Sequence, residues 1–193
     1  MCKVFLCLSG LVFFMASCNK DYSIKPLPED TATPVFSYPI ASLSSTIKFI
    51  SFGDTLPDLS ISHGYQIQLM DTTQIILAAC SGVVNKITSI APGNNSILVK
   101  YKSNSVYSFL YSGIESTTLQ LNDSIAGGVI LGKIAKTGVI SFQVMKHENE
   151  LLCPQTFGSA GFNNAINLAI SKHNQYNAGD SVYTPCLISS IVM

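Results

Sequence analysis

The sequence predicts a mostly β fold: a β-sheet sandwich carrying one amphipathic helix near its C-terminal end. Three observations predict it. Between residues 37 and 157, short apolar or alternating stretches are separated by Gly, Asn and Asp, the pattern of strands joined by turns. Two of these stretches, 96–101 and 105–111, flank Lys102-Ser103-Asn104, which reads as a hairpin turn. From 162 to 170 the apolar period lengthens, and Phe162, Ala165, Ile166, Ala169 and Ile170 fall on one helical face.

Each element has its own warrant. Residues 61–69 alternate, with Tyr65, Ile67 and Leu69 on one parity. Residues 74–79 and 82–87 are short apolar strands. In the next pair, Ile97, Val99 and Tyr101 share a face. Residues 129–134 and 139–145 complete the set, and short strands of this kind build sandwiches or barrels. Ser159 is placed to cap the helix. Residues 182–192 read as a terminal strand, which Pro185 confines to a sheet edge.

Length and composition narrow the function. The 193 residues suffice for one domain with a core and a tail or two. With 47% hydrophobic and 11% charged residues, most of the chain buries enough apolar surface to exclude disorder. Eleven basic residues balance eleven acidic ones, and every basic residue is Lys. A nucleic-acid binder carries a basic excess and uses Arg for bidentate phosphate contacts, so that class is excluded. No apolar run reaches the roughly twenty residues needed to span a bilayer.

The first residues are an address. Residues 1–17 read as a secretion signal, with Lys3 as its basic start and 4–15 as its apolar stretch. The segment ends Met15-Ala16-Ser17-Cys18, which resembles a bacterial lipobox, with Cys18 as the lipidated first residue of the mature chain. Asn19 after it fits the outer membrane, and Lys20-Asp21 resembles a surface-export signal. Residues 18–36, with Pro26, Pro28 and Pro34, read as an extended tether that lets the domain stand off the membrane. Of the other cysteines, Cys2 and Cys7 leave with the signal, and Cys80 reads as a buried small hydrophobe in a small-residue strand end. Cys153 and Cys186 each neighbour a Pro, and the sequence leaves open whether they pair.

The β-region also carries an ordered series of motifs. These are Ser51-Phe52-Gly53, Gly64-Tyr65-Gln66-Ile67, Ala78-Ala79-Cys80-Ser81-Gly82-Val83-Val84 and Tyr107-Ser108-Phe109-Leu110. The stretch 121–132 follows, then Val139-Ile140-Ser141-Phe142-Gln143-Val144 and Pro154. In this order, over about 120 residues, they resemble the LytM/lysostaphin-type zinc endopeptidases (metallopeptidase family 23), which cut peptide cross-links in bacterial cell walls. The resemblance implies the LytM-like β-domain over 37–157, a duplicated hybrid motif or barrel-sandwich hybrid, with 158–193 as a helix-plus-strand extension.

The resemblance also implies that the chemistry is gone. The family's three zinc ligands fall at Ser62, Gln66 and Ser141, and its two further catalytic histidines at Phe109 and Val139. Hydroxyls and an amide are poor zinc donors. Phe109 can neither move a proton nor stabilise an oxyanion. Without a metal, a bound water keeps a pKa too high for attack near neutral pH. The expectation is no zinc, no cofactor and no hydrolysis, with Ser62, Gln66, Phe109, Val139 and Ser141 lining the old groove. His63 lies one residue from a ligand position, on the opposite parity, and reads as a surface or loop residue. His147 reads as solvated in the loop 146–150, and His173 as a cation at the helix end.

Three functions fit this reading. The first is a lipid-anchored, degenerate module that binds peptidoglycan or regulates a cell-wall hydrolase. The second is an active metallo-endopeptidase whose ligands have been rearranged among His63, His147 or His173 and a carboxylate such as Asp71 or Glu148. The third is a purely structural envelope lipoprotein with an interface at 158–193.

Overall fold

The computed structural model describes residues 27–182 and 184–193; the signal segment 1–17, the lipidation site Cys18 and residues 19–26 of the tether lie outside them. The strands are β1 (Thr46–Ile50), β2 (Tyr65–Leu69), β3 (Ile75–Leu77), β4 (Gly82–Ala91), β5 (Asn94–Lys100) and β6 (Tyr107–Ser116). They continue as β7 (Ser124–Ile125), β8 (Ile130–Ile134), β9 (Val139–Lys146), β10 (Glu150–Leu152) and β11 (Ser190–Val192), with one α-helix among the described residues, α1 (Ala160–Tyr176), before β11. All pair antiparallel, in the spatial order β1-β2-β9-β6-β5-β4-β7. β10 and β11 extend from β9, and β8 joins β6 to β3.

Alternation decides what each strand buries. In β2 the odd residues Tyr65, Ile67 and Leu69 are buried while Gln66 and Gln68 are half-buried on the other face. β9 repeats this with Ile140, Phe142 and Val144 inward. A period of two on one strand dictates the same face on its neighbour, because directly opposed residues point the same way. Against this inner face packs α1, which buries Phe162, Ile166, Ala169 and Ile170. The helix is longer than the periodicity at 162–170 predicts, and Ser159 caps it, its Oγ accepting from the Phe162 N–H at 3.4 Å.

The tether is shorter than the sequence implies. Phe36 is fully buried at the centre of an aromatic cluster, its ring 5.2 Å from Phe109, 5.3 Å from Phe142 and 5.3 Å from Phe162. Earlier still, Asp30 is bound to the domain. Its N–H donates to Asn104 O, its carbonyl accepts from Val106 N–H, and its carboxylate takes the Lys102 ammonium at 2.6 Å. Prolines keep the segment extended, but they do not keep it from packing. The domain therefore begins inside the stretch assigned to the tether.

The C-terminal segment also departs from expectation. Instead of one strand over 182–192, only Ser190–Val192 pairs as a strand, with β10. Before it, Pro185 O accepts from Phe52 N–H and Leu187 N–H donates to Phe52 O, a short parallel bridge beyond the end of β1. Pro185 has no N–H to continue a ladder. Cys186 is bonded to Cys153, which settles the pairing the sequence leaves open. Cys80 is buried and free, as expected of a small hydrophobe, and desolvation pushes its thiol up to about 12.

The outer edge of β1 is closed by side chains rather than by a strand. His173, on the last turn of α1, accepts the Phe49 N–H at Nδ1 (3.1 Å), and its Nε2 meets Asp180 O at 2.6 Å. Asn177 donates to Ile47 O at 2.6 Å. Together they satisfy backbone groups that a bare edge would leave open.

Candidate functional site

The site sits where β1, β2, β9 and β6 lie side by side. Their register sets Ile50 opposite Gln66, Gln66 opposite Ser141 and Ser141 opposite Ser112, one row across four strands. The next row is Lys48, Gln68 and Val139. On the other side of the central row, Leu110 stands opposite Gln143. All point away from the core. A depression of about 150 Å³ lies over part of this surface, lined by Lys48, Ile50, Gln66, Ile67, Gln68 and Val139.

Backbone crowding fixes the local shape. Gly113 has φ +88°, and a Cβ there would stand 2.0 Å from Val139 O. Only glycine lets β6 pass the start of β9 at this point while kinking. At Gly64 a Cβ would meet Phe142 O at 2.3 Å, so the entry to β2 also lies tight against β9.

Three of the five expected groove residues share this face: Gln66, Val139 and Ser141. Two do not. Ser62 is fully buried in the turn before β2, and its hydroxyl donates to Gly64 O at 2.8 Å. Its N–H donates to Asp54 O and its carbonyl accepts from Gly53 N–H, so it is a turn lock rather than a groove wall. Phe109 is likewise fully buried. It faces Val99 and Val144 on the inner side of the sheet and packs edge-on against Phe36. One residue of parity separates it from the open face, where Leu110 stands instead. A signal for this was present: Tyr107, Phe109 and Tyr111 share a parity, and three aromatics in a row mark the core side.

The histidines lie apart from this face. His63 is exposed ahead of β2, as its parity predicts. His147 is exposed in the β9–β10 turn with φ +50°, its Nδ1 3.7 Å from the Glu29 carboxylate. His173 corrects the expectation of a cation at the helix end, because it is 1% exposed and its Nδ1 accepts the Phe49 N–H. An imidazolium could not accept that bond, so the ring is neutral with its proton on Nε2. The two candidate carboxylates are already engaged. Asp71 accepts from the Thr73 N–H and hydroxyl, which hold its carboxyl below the usual range, and Glu148 lies 3.7 Å from Lys100. Among the described residues, no three His, Cys, Asp or Glu side chains meet in a way that could hold a metal ion.

At the zinc positions the resemblance implies, the donors do not fit the ion. The Ser62 hydroxyl is buried and bonded to a carbonyl, while Gln66 and Ser141 offer only neutral oxygen. The open face presents amides and hydroxyls beside the apolar Ile50, Val139 and Leu110, with Lys48 as the charge at its rim. Such a surface donates and accepts hydrogen bonds to neutral polar groups.

No known protein family matches the sequence. No curated protein matches it either. Solved structures do match. Csd3 of Helicobacter pylori in its hexagonal crystal gives TM-score 0.53 at 15% identity, over 76% of this chain and 41% of that one. The antimicrobial peptidase lysostaphin from Staphylococcus simulans gives 0.50 at 18% identity, over 72% of this chain and 55% of that one. The chain spans about half the length of these proteins or less. The chain has the fold of the LytM/lysostaphin-type peptidases.

Proposed function

We propose that this chain is a lipid-anchored envelope protein whose LytM-type domain has exchanged zinc hydrolysis for binding. It engages peptidoglycan, or a cell-wall hydrolase, through the open face of β1, β2, β9 and β6. The observation that carries the reading is the cross-strand pair Gln66 and Ser141, where the resemblance places two metal ligands. A neutral amide facing a hydroxyl cannot activate water, but it can hold a peptide backbone or a sugar hydroxyl. Lysostaphin's description as an antimicrobial peptidase is compatible with a peptide-bearing ligand for this chain. The Cys153–Cys186 disulfide supports an oxidising compartment such as the envelope. Lipidation at Cys18, outside the described residues, would hold the domain at the outer membrane on a tether of fewer free residues than 18–36.

The test incubates the protein with purified cell-wall sacculi and zinc, then sediments the wall. Protein in the pellet with no peptide in the supernatant is the expected result, and Gln66→Ala with Ser141→Val reduces the pelleted fraction. Released peptide overturns the inactive assignment. Protein left in solution redirects the search to a protein partner. Labelling with radioactive palmitate, lost in Cys18→Ser, tests the anchor.

A further inference from the structure

A second polar hollow lies at the far end of the same sheet face. It has a volume of about 150 Å³ and is lined by Glu29, Lys100, Ser105, Ser108, His147 and Glu148, with Val106 beside them. The β5–β6 register sets Lys100 opposite Ser108. The β9–β10 turn brings His147 and Glu148 over them, and the docked N-terminal segment supplies Glu29.

Among the described side chains that line this hollow, only the Ser105 hydroxyl is engaged in a hydrogen bond, accepting the Tyr107 N–H at 3.1 Å. Ser108 is 2% exposed, and its hydroxyl has no hydrogen-bond partner. A buried hydroxyl without a partner is costly and rare in native proteins. Lys100 and Glu148 approach only to 3.7 Å, as do His147 and Glu29. These separations are longer than hydrogen bonds. Among the described residues none of the four side chains makes a hydrogen bond. The hollow therefore gathers one ammonium and two carboxylates around a buried hydroxyl that has no partner.

We propose that this hollow binds a small zwitterion, a molecule carrying a primary ammonium and an oxyanion a few bonds apart. The oxyanion sits against the Lys100 ammonium and the Ser108 hydroxyl, and the ligand's ammonium sits between Glu29 and Glu148. Charge pairing on both ends favours this over a simple anion, which the two carboxylates repel, and over a simple cation, which Lys100 repels. The site uses none of the groove residues Gln66, Val139 or Ser141, so it stands whether or not the sheet face binds wall.

The test titrates the full chain separately with alanine, whose oxyanion is a carboxylate, and with O-phosphoethanolamine, whose oxyanion is a phosphate. Binding is followed by calorimetry and by amide chemical shifts. Saturable binding of either probe, with shifts confined to residues around 100, 105–108 and 147–148, is the expected result, and the probe that binds identifies the oxyanion. Ser108→Ala and Lys100→Met each weaken it at least about tenfold, the loss expected for one hydrogen bond to a charged group. Lys136→Gln, elsewhere on the surface, leaves it unchanged. A retained thermal transition shows that each variant still folds. Binding of neither probe overturns the proposal. So does a Ser108→Ala variant that folds and binds as tightly as the parent.

Discussion

Removing the Cys153–Cys186 bond is the sharpest perturbation the structure offers. The bond closes a loop across 33 residues, and that loop contains the whole of α1. For a loop of that length the chain-entropy relation gives about 3.7 kcal/mol of stabilisation at 25 °C, acting through the unfolded state. Reduction also frees the segment around Pro185, whose backbone bonds to Phe52 are few. Cys153→Ala with Cys186→Ala avoids burying a new hydroxyl, because Cys153 is 3% exposed. With a urea slope near 2 kcal/mol per molar, the unfolding midpoint should fall by about 2 M. The melting temperature should fall by roughly 8–15 °C for a chain of this size. The assay is equilibrium urea unfolding followed by circular dichroism, on the parent with and without reductant and on the double variant. A fall of less than about 0.5 M would refute the reasoning. It would mean that the contacts of α1 with β1 and the backbone bonds at Phe52 already confine the loop, so that closing it covalently adds little.

Other perturbations follow from the same packing. His173→Leu keeps the apolar volume but leaves the Phe49 N–H and the Asp180 carbonyl without their partners. The expected cost is about 2–4 kcal/mol, read by chemical denaturation, and β1 amides should lose hydrogen-exchange protection first. Phe36→Ala opens a cavity among four other aromatic rings and should cost about 3–5 kcal/mol, although the residue lies in the stretch the sequence reads as tether. A loss near zero would return that segment to the tether. Cys80 should resist iodoacetamide at pH 8 in the native state and react once denatured, as intact mass would show, because its thiol is buried and pushed up to about 12. Its folded pKa lies above the unfolded value of about 8.5. The unfolded chain therefore loses that proton first, and stability should fall as pH rises from there toward the folded value. Cys80→Ala should flatten the first part of that fall, before Tyr65 and Tyr111, both raised by burial, begin to contribute.

Much of the fold was legible because strand alternation is local. Tyr65, Ile67 and Leu69 announce their buried face by spacing alone, and β2 obeys it. The helix was legible from its period, and its start from Ser159. β1 was not read as a strand, because the partners that define it, Gln66 to Leu69 on one side and His173 with Asn177 on the other, are far away in sequence. The candidate site was legible in part. Motif order placed Gln66 and Ser141, and register brought them face to face. The same motif order placed Phe109 and Ser62 in the groove, where parity and a turn exclude them.

The sequence by itself determined the class of fold, most of the strands and the balance of charge. These depend on residue identity and on periods of a few residues. Only the tertiary structure decided that Phe36 belongs to the core, that Cys153 meets Cys186, that His173 is a neutral edge cap, and that Ser108 lies buried without a partner. Those are facts about residues brought together across tens of positions. Local periodicity carries no record of them, because backbone register and packing, which assemble only in the folded chain, determine which distant groups meet.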